Sequence, residues 1–189
     1  MTLALNPWPL YQDSYDPLVP VDHLDLKAYS GIWYEIARLP QPFETDCYCV
    51  TASYTLNPNS TVTVVNICIQ GSPSGDVSSI QRIATAMDPI NGTVTSGKLS
   101  VDFFHGHPGF YYVIALDKGY KYALVGSPDR TGLWILSRTP GFNDEIYQEL
   151  VEEAKKAEFD LDQFTKTYQS DDCKRTAGNG FLNNYFRHF

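Results

Sequence analysis

The sequence predicts an all-β protein, an eight-stranded antiparallel up-and-down β-barrel with one flanking C-terminal α-helix, and three observations carry that reading. Short segments rich in apolar and β-branched residues follow one another from Gly31 to Leu136, separated by turns rich in Gly, Pro and Asn. A helical pattern occurs once, after the last of these segments. No crossover segment joins any two strands, and closure into a barrel removes the exposed edges that so many strands would otherwise leave. A two-sheet sandwich is the competing arrangement.

The elements can be taken in order. Residues 1–21 form an extended arm, because Pro7, Pro9, Pro17 and Pro20 exclude regular helix or central strand, and Trp8, Tyr11 and Tyr15 lie between them. An arm packed across the barrel is the simpler reading, a partner-binding arm the other. Gly31 to Pro40 reads as a strand leaving a tight turn. Gln41 to Asp46 is a loop. Cys49 to Leu56 alternates, with Val50, Ala52 and Tyr54 on one face and Thr51, Ser53 and Thr55 on the other. Asn57 to Ser60 turns the chain into the returning strand, Thr61 to Gln70. A weaker strand, Val77 to Asp88, follows the break at Gly71 to Gly75, and Ile90-Asn91-Gly92 is the next turn.

Lys98 to Phe104 sets Leu99, Val101 and Phe103 against Ser100 and Asp102, so one face is buried and the other wet. Phe110 to Leu116, Tyr120 to Val125 and Leu133 to Leu136 are apolar on both faces, which marks strands covered on both sides. Their cover is the segment from Asp144 to Phe159, where Ile146, Leu150, Val151 and Ala154 recur at helical spacing. Asn143 or Asp144 can cap its start. Gln163 to Tyr168 could add a final short strand, and residues 174–189 are an aromatic, Gly- and Asn-rich tail of undecided structure.

Composition narrows the function classes. The chain has 189 residues, 43% of them hydrophobic, enough for one substantial core. Fourteen basic against 22 acidic residues give a net charge of −8, which disfavours nucleic acids and anionic surfaces as partners. No apolar run is long enough to span a bilayer, and the first residues, broken by Asn6, Pro7 and Pro9, show no secretory signal. Cys47, Cys49, Cys68 and Cys173 have no zinc-knuckle spacing, and their even number favours two disulfides and an oxidising, secreted setting. An intracellular protein with reduced thiols is the alternative. Asn59-Ser60-Thr61 and Asn91-Gly92-Thr93 are glycosylation sequons, a slight addition to the case for secretion. His105-Gly106-His107 reads as a solvated turn, and no metal or cofactor is expected.

Gly31-Ile32-Trp33 and Leu133-Trp134-Ile135-Leu136-Ser137-Arg138-Thr139-Pro140 resemble the first and last signatures of the lipocalins. The stretch from Tyr111 to Arg130 is similar to the bacterial outer-membrane lipocalin and apolipoprotein D branch, and the likeness covers roughly residues 22–173. It implies a calyx with Gly31, Trp33 and Arg138 at a closed floor, where a planar cation against an indole makes a stacked pair reasonable. Ligand positions carried over from the branch are Tyr54, Asn66, Phe103, Tyr112, Trp134 and Leu136, with Phe43 near the mouth. The resemblance also favours Cys49–Cys173, leaving Cys47–Cys68. The strand register leaves Cys49–Cys68 with Cys47–Cys173 open: a four-residue turn at 57–60 sets Cys49 opposite Cys68, and a three-residue turn puts them on opposite faces.

The function this implies is binding, transport or storage of a small hydrophobic or amphipathic ligand, such as a fatty acid, lysophospholipid, sterol, retinoid or pigment. The branch has an acidic pocket residue where this chain has Cys68, so ligand identity does not carry over. Peripheral membrane contact and a homodimer are compatible with such a carrier. Two other classes compete. A free, reactive Cys68 would suit an isomerase or a carotenoid- or lipid-modifying enzyme, and the arm and aromatic tail would suit a scaffold for protein interaction.

Overall fold

The structure is a computed structural model that describes residues 15–104, 107–170 and 173, apart from the side chains of residues 103, 104, 107 and 108. Eight antiparallel strands form the barrel: β1 (Gly31–Arg38), β2 (Cys47–Leu56), β3 (Val62–Gln70), β4 (Asp76–Ala86), β5 (Lys98–Phe104), β6 (His107–Leu116), β7 (Tyr122–Gly126) and β8 (Leu133–Ser137). Each pairs with the next, and β8 returns to pair with β1, so the sheet closes. The sandwich is thereby excluded.

The expected strand positions hold to within a few residues. The turn between β2 and β3 is longer than expected, because Leu56 pairs with Val62 and leaves five residues, 57–61, between them. Three short pieces were not foreseen. Leu24–Asp25, Pro89–Asn91 and Val94–Thr95 form a small separate sheet. A four-residue helix, α1 (Leu26–Tyr29), follows the first of them, capped by Asp25, whose side chain accepts from the Lys27 N–H. One turn of helix carries no periodicity from which to read it.

Alternation divides the core in two. The inner faces contribute Trp33, Ala52, Tyr54, Val64, Ala84, Leu99, Val101, Val113 and Leu136 to a cluster inside the barrel. The outer faces of β1 and β6–β8 contribute Ile36, Leu124, Leu133 and Ile135 to a second cluster, completed by Leu150, Ala154 and Phe159. This is why those strands are apolar on both sides. The covering helix, α2 (Asp144–Lys156), has Asn143 as its N-cap, accepting from the amides of Glu145 and Ile146, with acidic residues in its first turn and lysines in its last. Beyond it Phe159 folds back onto β7 at Gly126, where an added Cβ would lie 2.5 Å from the ring. The described part of the arm packs on the barrel: Leu18 joins the outer cluster, and Arg130 donates to the Asp16 carbonyl at 2.7 Å. Trp8 and Tyr11, like residues 174–189, lie outside the described residues.

The closed end is built around Arg138. Its guanidinium stacks 3.9 Å from the centroid of the Trp33 ring. Its N–H groups donate to the carbonyls of Ala28, Tyr29, Ser30, Ile32 and Tyr120 at 2.9–3.2 Å. Three of these carbonyls, of Ala28, Tyr29 and the C-cap Ser30, lie at the end of α1, where a helix has acceptors left over. Trp33 adds a bond from its indole N–H to the Tyr29 carbonyl, 2.8 Å. Gly31 is required twice over, since its φ of +103° suits glycine and a Cβ there would meet an Arg138 nitrogen at 3.2 Å.

The cysteines pair as Cys49–Cys173 and Cys47–Cys68, with Cα separations of 5.2 and 5.4 Å. The register of β2 on β3 slips by one residue between Tyr48 and Thr51, so that Cys49 turns outward with Ile69 and Cys173. That slip removes the Cys49–Cys68 alternative. Two disulfides favour an oxidising compartment.

Replacing Arg138 takes a donor from five carbonyls, of which that of Tyr29 keeps the Trp33 indole N–H. R138A should lower the unfolding free energy by about 2–4 kcal/mol, measured as a shift in urea midpoint at unchanged slope; a shift under about 1 kcal/mol would remove the floor from its structural role.

Candidate functional site

The open interior of the barrel is the candidate site. Its lower wall is apolar: Ala52, Val64, Ala84, Leu99, Val101 and Leu136 converge from five strands. Phe43, Phe110 and Arg82 stand at the mouth, with Phe43 and Phe110 about half exposed. The space between the walls is about 760 Å³ with its open mouth included.

Tyr54, Asn66, Trp134 and Leu136 all line this space, as alternation along β2, β3 and β8 requires. Tyr112 does not, which corrects the expectation. Leu99 and Val101 face inward, and their partners across the ladder are Tyr111 and Gly109; Tyr112 pairs with Lys98, so its side chain packs in the outer cluster. Tyr111 takes the inner place. Phe103 lies on β5, and its side chain is outside the described residues, as are His105 and Gly106 and the His107 side chain.

Two polar groupings inside the cavity were not expected. Near the floor, the Tyr111 hydroxyl bonds to those of Tyr29 and Tyr54, at 2.7 and 3.0 Å. Burial pushes all three phenols up, Tyr54 to about 12. They remain neutral hydrogen-bonding groups.

The second grouping is an acid pair. Glu35 on β1 and Glu44 on the short 3-10 turn Pro42–Glu44 are 3% and 8% exposed, so each is more than nine-tenths buried. Arg38 reaches Glu44 with Nε at 3.1 Å and Glu35 with Nη1 at 3.6 Å, and it also donates to the Glu44 carbonyl at 2.7 Å. The Trp134 indole N–H donates to Glu44 at 3.3 Å, and the Thr167 hydroxyl to Glu35 at 2.5 Å. Burial first, then the neighbouring Glu44 charge, pushes Glu35 up to about 8. Glu44 is raised too, by burial, but Trp134 and Arg38 oppose that rise. At neutral pH Glu35 therefore favours its protonated form, and Glu44 lies directly against Arg38. One signal in the sequence could have found Glu35: it is a carboxylate two residues from Trp33, on the inward face of an apolar strand.

A bulge accounts for the geometry. The register of β1 on β8 slips by one residue at Ile36, so Ile36 and Ala37 both join the outer cluster and Arg38 turns back toward the acids. At the same level β1 and β2 part company, since their pairing ends at Tyr34–Thr51. The C-terminal segment fills the seam. Thr165 and Lys166 pair with Arg38 and Ala37, the Gln169 side chain donates to the carbonyls of both Glu35 and Val50, and the Cys49 N–H donates to the Tyr168 carbonyl.

Chemically, the site can bury an apolar body and offer neutral hydrogen-bonding groups to it. Cys68 is bonded to Cys47. Among the described residues no group of three or more side chains could hold a metal ion, and no helix is long and apolar enough to cross a membrane.

Glu35 also makes stability depend on pH with a definite sign. Its carboxyl titrates near 4.5 without the fold and near 8 within it, so the folded state holds an extra proton between those values. The contribution is fully present below the lower value and lost as pH rises through the upper one. Relative to E35Q, the wild-type protein should lose thermal stability between about pH 5 and pH 8, followed by melting in one buffer series; parallel curves would show that Glu35 ionises freely.

Comparison with known proteins agrees with this architecture. A lipocalin-like domain family matches residues 24–169. The chain is 40% identical over 144 residues to the outer membrane lipoprotein Blc of Escherichia coli (strain K12), covering 76% of this chain and 78% of that protein. It is 37% identical over 159 residues to the temperature-induced lipocalin-1 of Arabidopsis thaliana, covering 80% and 82%, and 33% identical over 164 residues to apolipoprotein D of Cavia porcellus, covering 82% of each. Insecticyanin from the tobacco hornworm Manduca sexta shares the fold, with a TM-score of 0.66 at 22% identity over 84% of this chain and 88% of that one. A closed eight-stranded barrel with a cation-stacked floor, a single covering helix and a family match across nearly all of that barrel make this chain a member of the lipocalin family.

Proposed function

We propose that the protein is a non-enzymatic carrier that binds a small hydrophobic or amphipathic molecule in its calyx, for transport or storage in a secreted or otherwise oxidising setting. The observation that supports this best is the cavity itself: an apolar tube closed at one end by Trp33 and Arg138 and open at the other between Phe43 and Phe110. Family membership is consistent with small hydrophobic ligands. Binding then works by burial. Each methylene removed from water contributes about 0.8 kcal/mol, less the cost of ordering the chain. Tyr54, Asn66, Trp134 and Leu136 are the wall residues proposed to touch the ligand, with Tyr111 in the place first given to Tyr112.

The thiol-dependent enzyme loses its support, because Cys68 sits in a disulfide and has no thiol to ionise. Secretion rests on the two disulfides and on relatives such as an outer-membrane lipoprotein. Peripheral membrane contact through the half-exposed phenylalanines of the mouth fits the same reading.

Native mass spectrometry of the purified protein, before and after incubation with dodecanol and 1-monododecanoyl glycerol, tests the carrier. The expected result is a one-to-one adduct that disappears on denaturation and on widening one wall residue, as in A84W. Absence of any adduct at ligand concentrations up to solubility would sink it.

A further inference from the structure

We infer that β4 carries an interaction surface for a second copy of this chain, the two joined edge to edge as an antiparallel strand pair about a two-fold axis. A split in the barrel wall is the observation behind this. β4 pairs with β3 from Asp76 to Ala84. On its other side it meets β5 at Ala84, Thr85 and Ala86 only. Beyond Val101, β5 keeps to β6, with Asp102 opposite Pro108 and Phe104 opposite His107, and leaves β4 behind. Among the described residues, no strand pairs with that side of β4 from Asp76 to Ile83. Ser78, Ser79, Ile80, Gln81 and Ile83 are accordingly exposed, the two isoleucines by 40% and 41%.

The direction of the backbone groups on this edge follows from the part of β4 that is still paired. The Met87 N–H donates to the Lys98 carbonyl at 3.0 Å, so Met87 turns its backbone toward β5. Backbone groups alternate from side to side along an antiparallel strand, and neither register of β4 slips between Asp76 and Ala86. The N–H and C=O groups of Val77, Ser79 and Gln81 therefore point off the free edge. Soluble proteins blunt such an edge with lysine, proline or a bulge. Val77 to Gln81 contains no proline and no charged residue.

A second copy fits this edge because the stretch is its own complement. With Ser79 on the two-fold axis, Ser79 faces the partner's Ser79 and Val77 faces the partner's Gln81, an arrangement with on the order of six N–H···O bonds. Asp76 then stands opposite the partner's Arg82, and Arg82 opposite the partner's Asp76, so the two charges that flank the edge meet their opposites. The two Ile80 side chains approach diagonally on one face of the joined sheet. An axis at Ser78 or Ile80 sets Asp76 opposite the partner's Ile80 or the partner's Ala84 instead, with no charge to meet. Antiparallel pairing also points the two calyces in opposite directions, which leaves both mouths open.

Sedimentation velocity of the full chain tests this, with the variants S79P, D76R, R82D and D76R/R82D, each checked for folding by circular dichroism. One strand pair makes a small interface, so the wild-type protein should pass from monomer to dimer between about 5 and 300 µM. S79P removes the central N–H, and because that N–H faces the free edge it breaks no bond to β3. That variant should stay monomeric. Each single charge reversal should weaken the dimer about fivefold or more, and the double reversal should restore it. A monomer at every concentration would overturn the inference, as would a dimer that S79P leaves intact or a double reversal that restores nothing. None of these results touches the carrier reading. Should S79P fail to fold, the charge reversals and their rescue decide.

Discussion

Stacking of Arg138 on Trp33 is the contact that the rest of this barrel depends on. An up-and-down barrel has two open ends, and a binding calyx needs one of them shut without filling the middle. The guanidinium does this by joining pieces distant in sequence: the end of β8, the turn before β7, the start of β1 and the last turn of α1. Its planar fork suits five carbonyls in a way that a lysine's point charge would not. Because these carbonyls and the indole absorb the cation, the space above Trp33 is left apolar. Tyr29, its ring tilted against Trp33 at 4.8 Å between centroids, then carries the first hydroxyl of the cavity.

Polar side chains inside this apolar tube follow one rule: each is paired before a ligand arrives, or it is neutral. The tyrosines bond to one another, and Glu35 is held uncharged between Thr167 and Glu44. Glu44 lies against Arg38. Burying a lone carboxylate would cost far more than these arrangements return in binding. Placing Glu44 on the turn beside Phe43 ties the position of the mouth to that ion pair, so the polar pairing also shapes the entrance.

Much of this was legible in the sequence, for reasons that differ from residue to residue. Alternation in Lys98–Phe104 and Cys47–Leu56 reports burial on one face, which is why Tyr54 and Leu99 are found inside. The apolar double faces of β6, β7 and β8 announced a cover, and α2 is that cover. Tyr112 was misplaced because β6 is apolar on both sides, so its own alternation cannot say which face turns inward; the ladder to Lys98 says it. The pairing of cysteines depended on a one-residue slip at Tyr48–Thr51, and a bulge leaves no mark in a string of residue types. Glu35 and Glu44 escaped notice for a related reason: their partners, Trp134 and Thr167, are distant along the chain, and only the closed barrel brings them together.

The parting of β1 from β2 above Tyr34 bears on how the chain acquires its shape. Successive hairpins from β2 to β8 can zip together as near neighbours, but the side wall at Glu35 is completed by Thr165, Thr167 and Gln169, which are made after all eight strands. A nascent barrel lacking them has a slit along one flank, with a carboxyl and two strand edges exposed to water. Contacts across more than a hundred residues form slowly, and Cys49–Cys173, 124 residues apart, can form only after that segment arrives. Sealing the calyx thus follows the zipping of the hairpins, and the bond that fixes it requires an oxidant after Cys173 has been made.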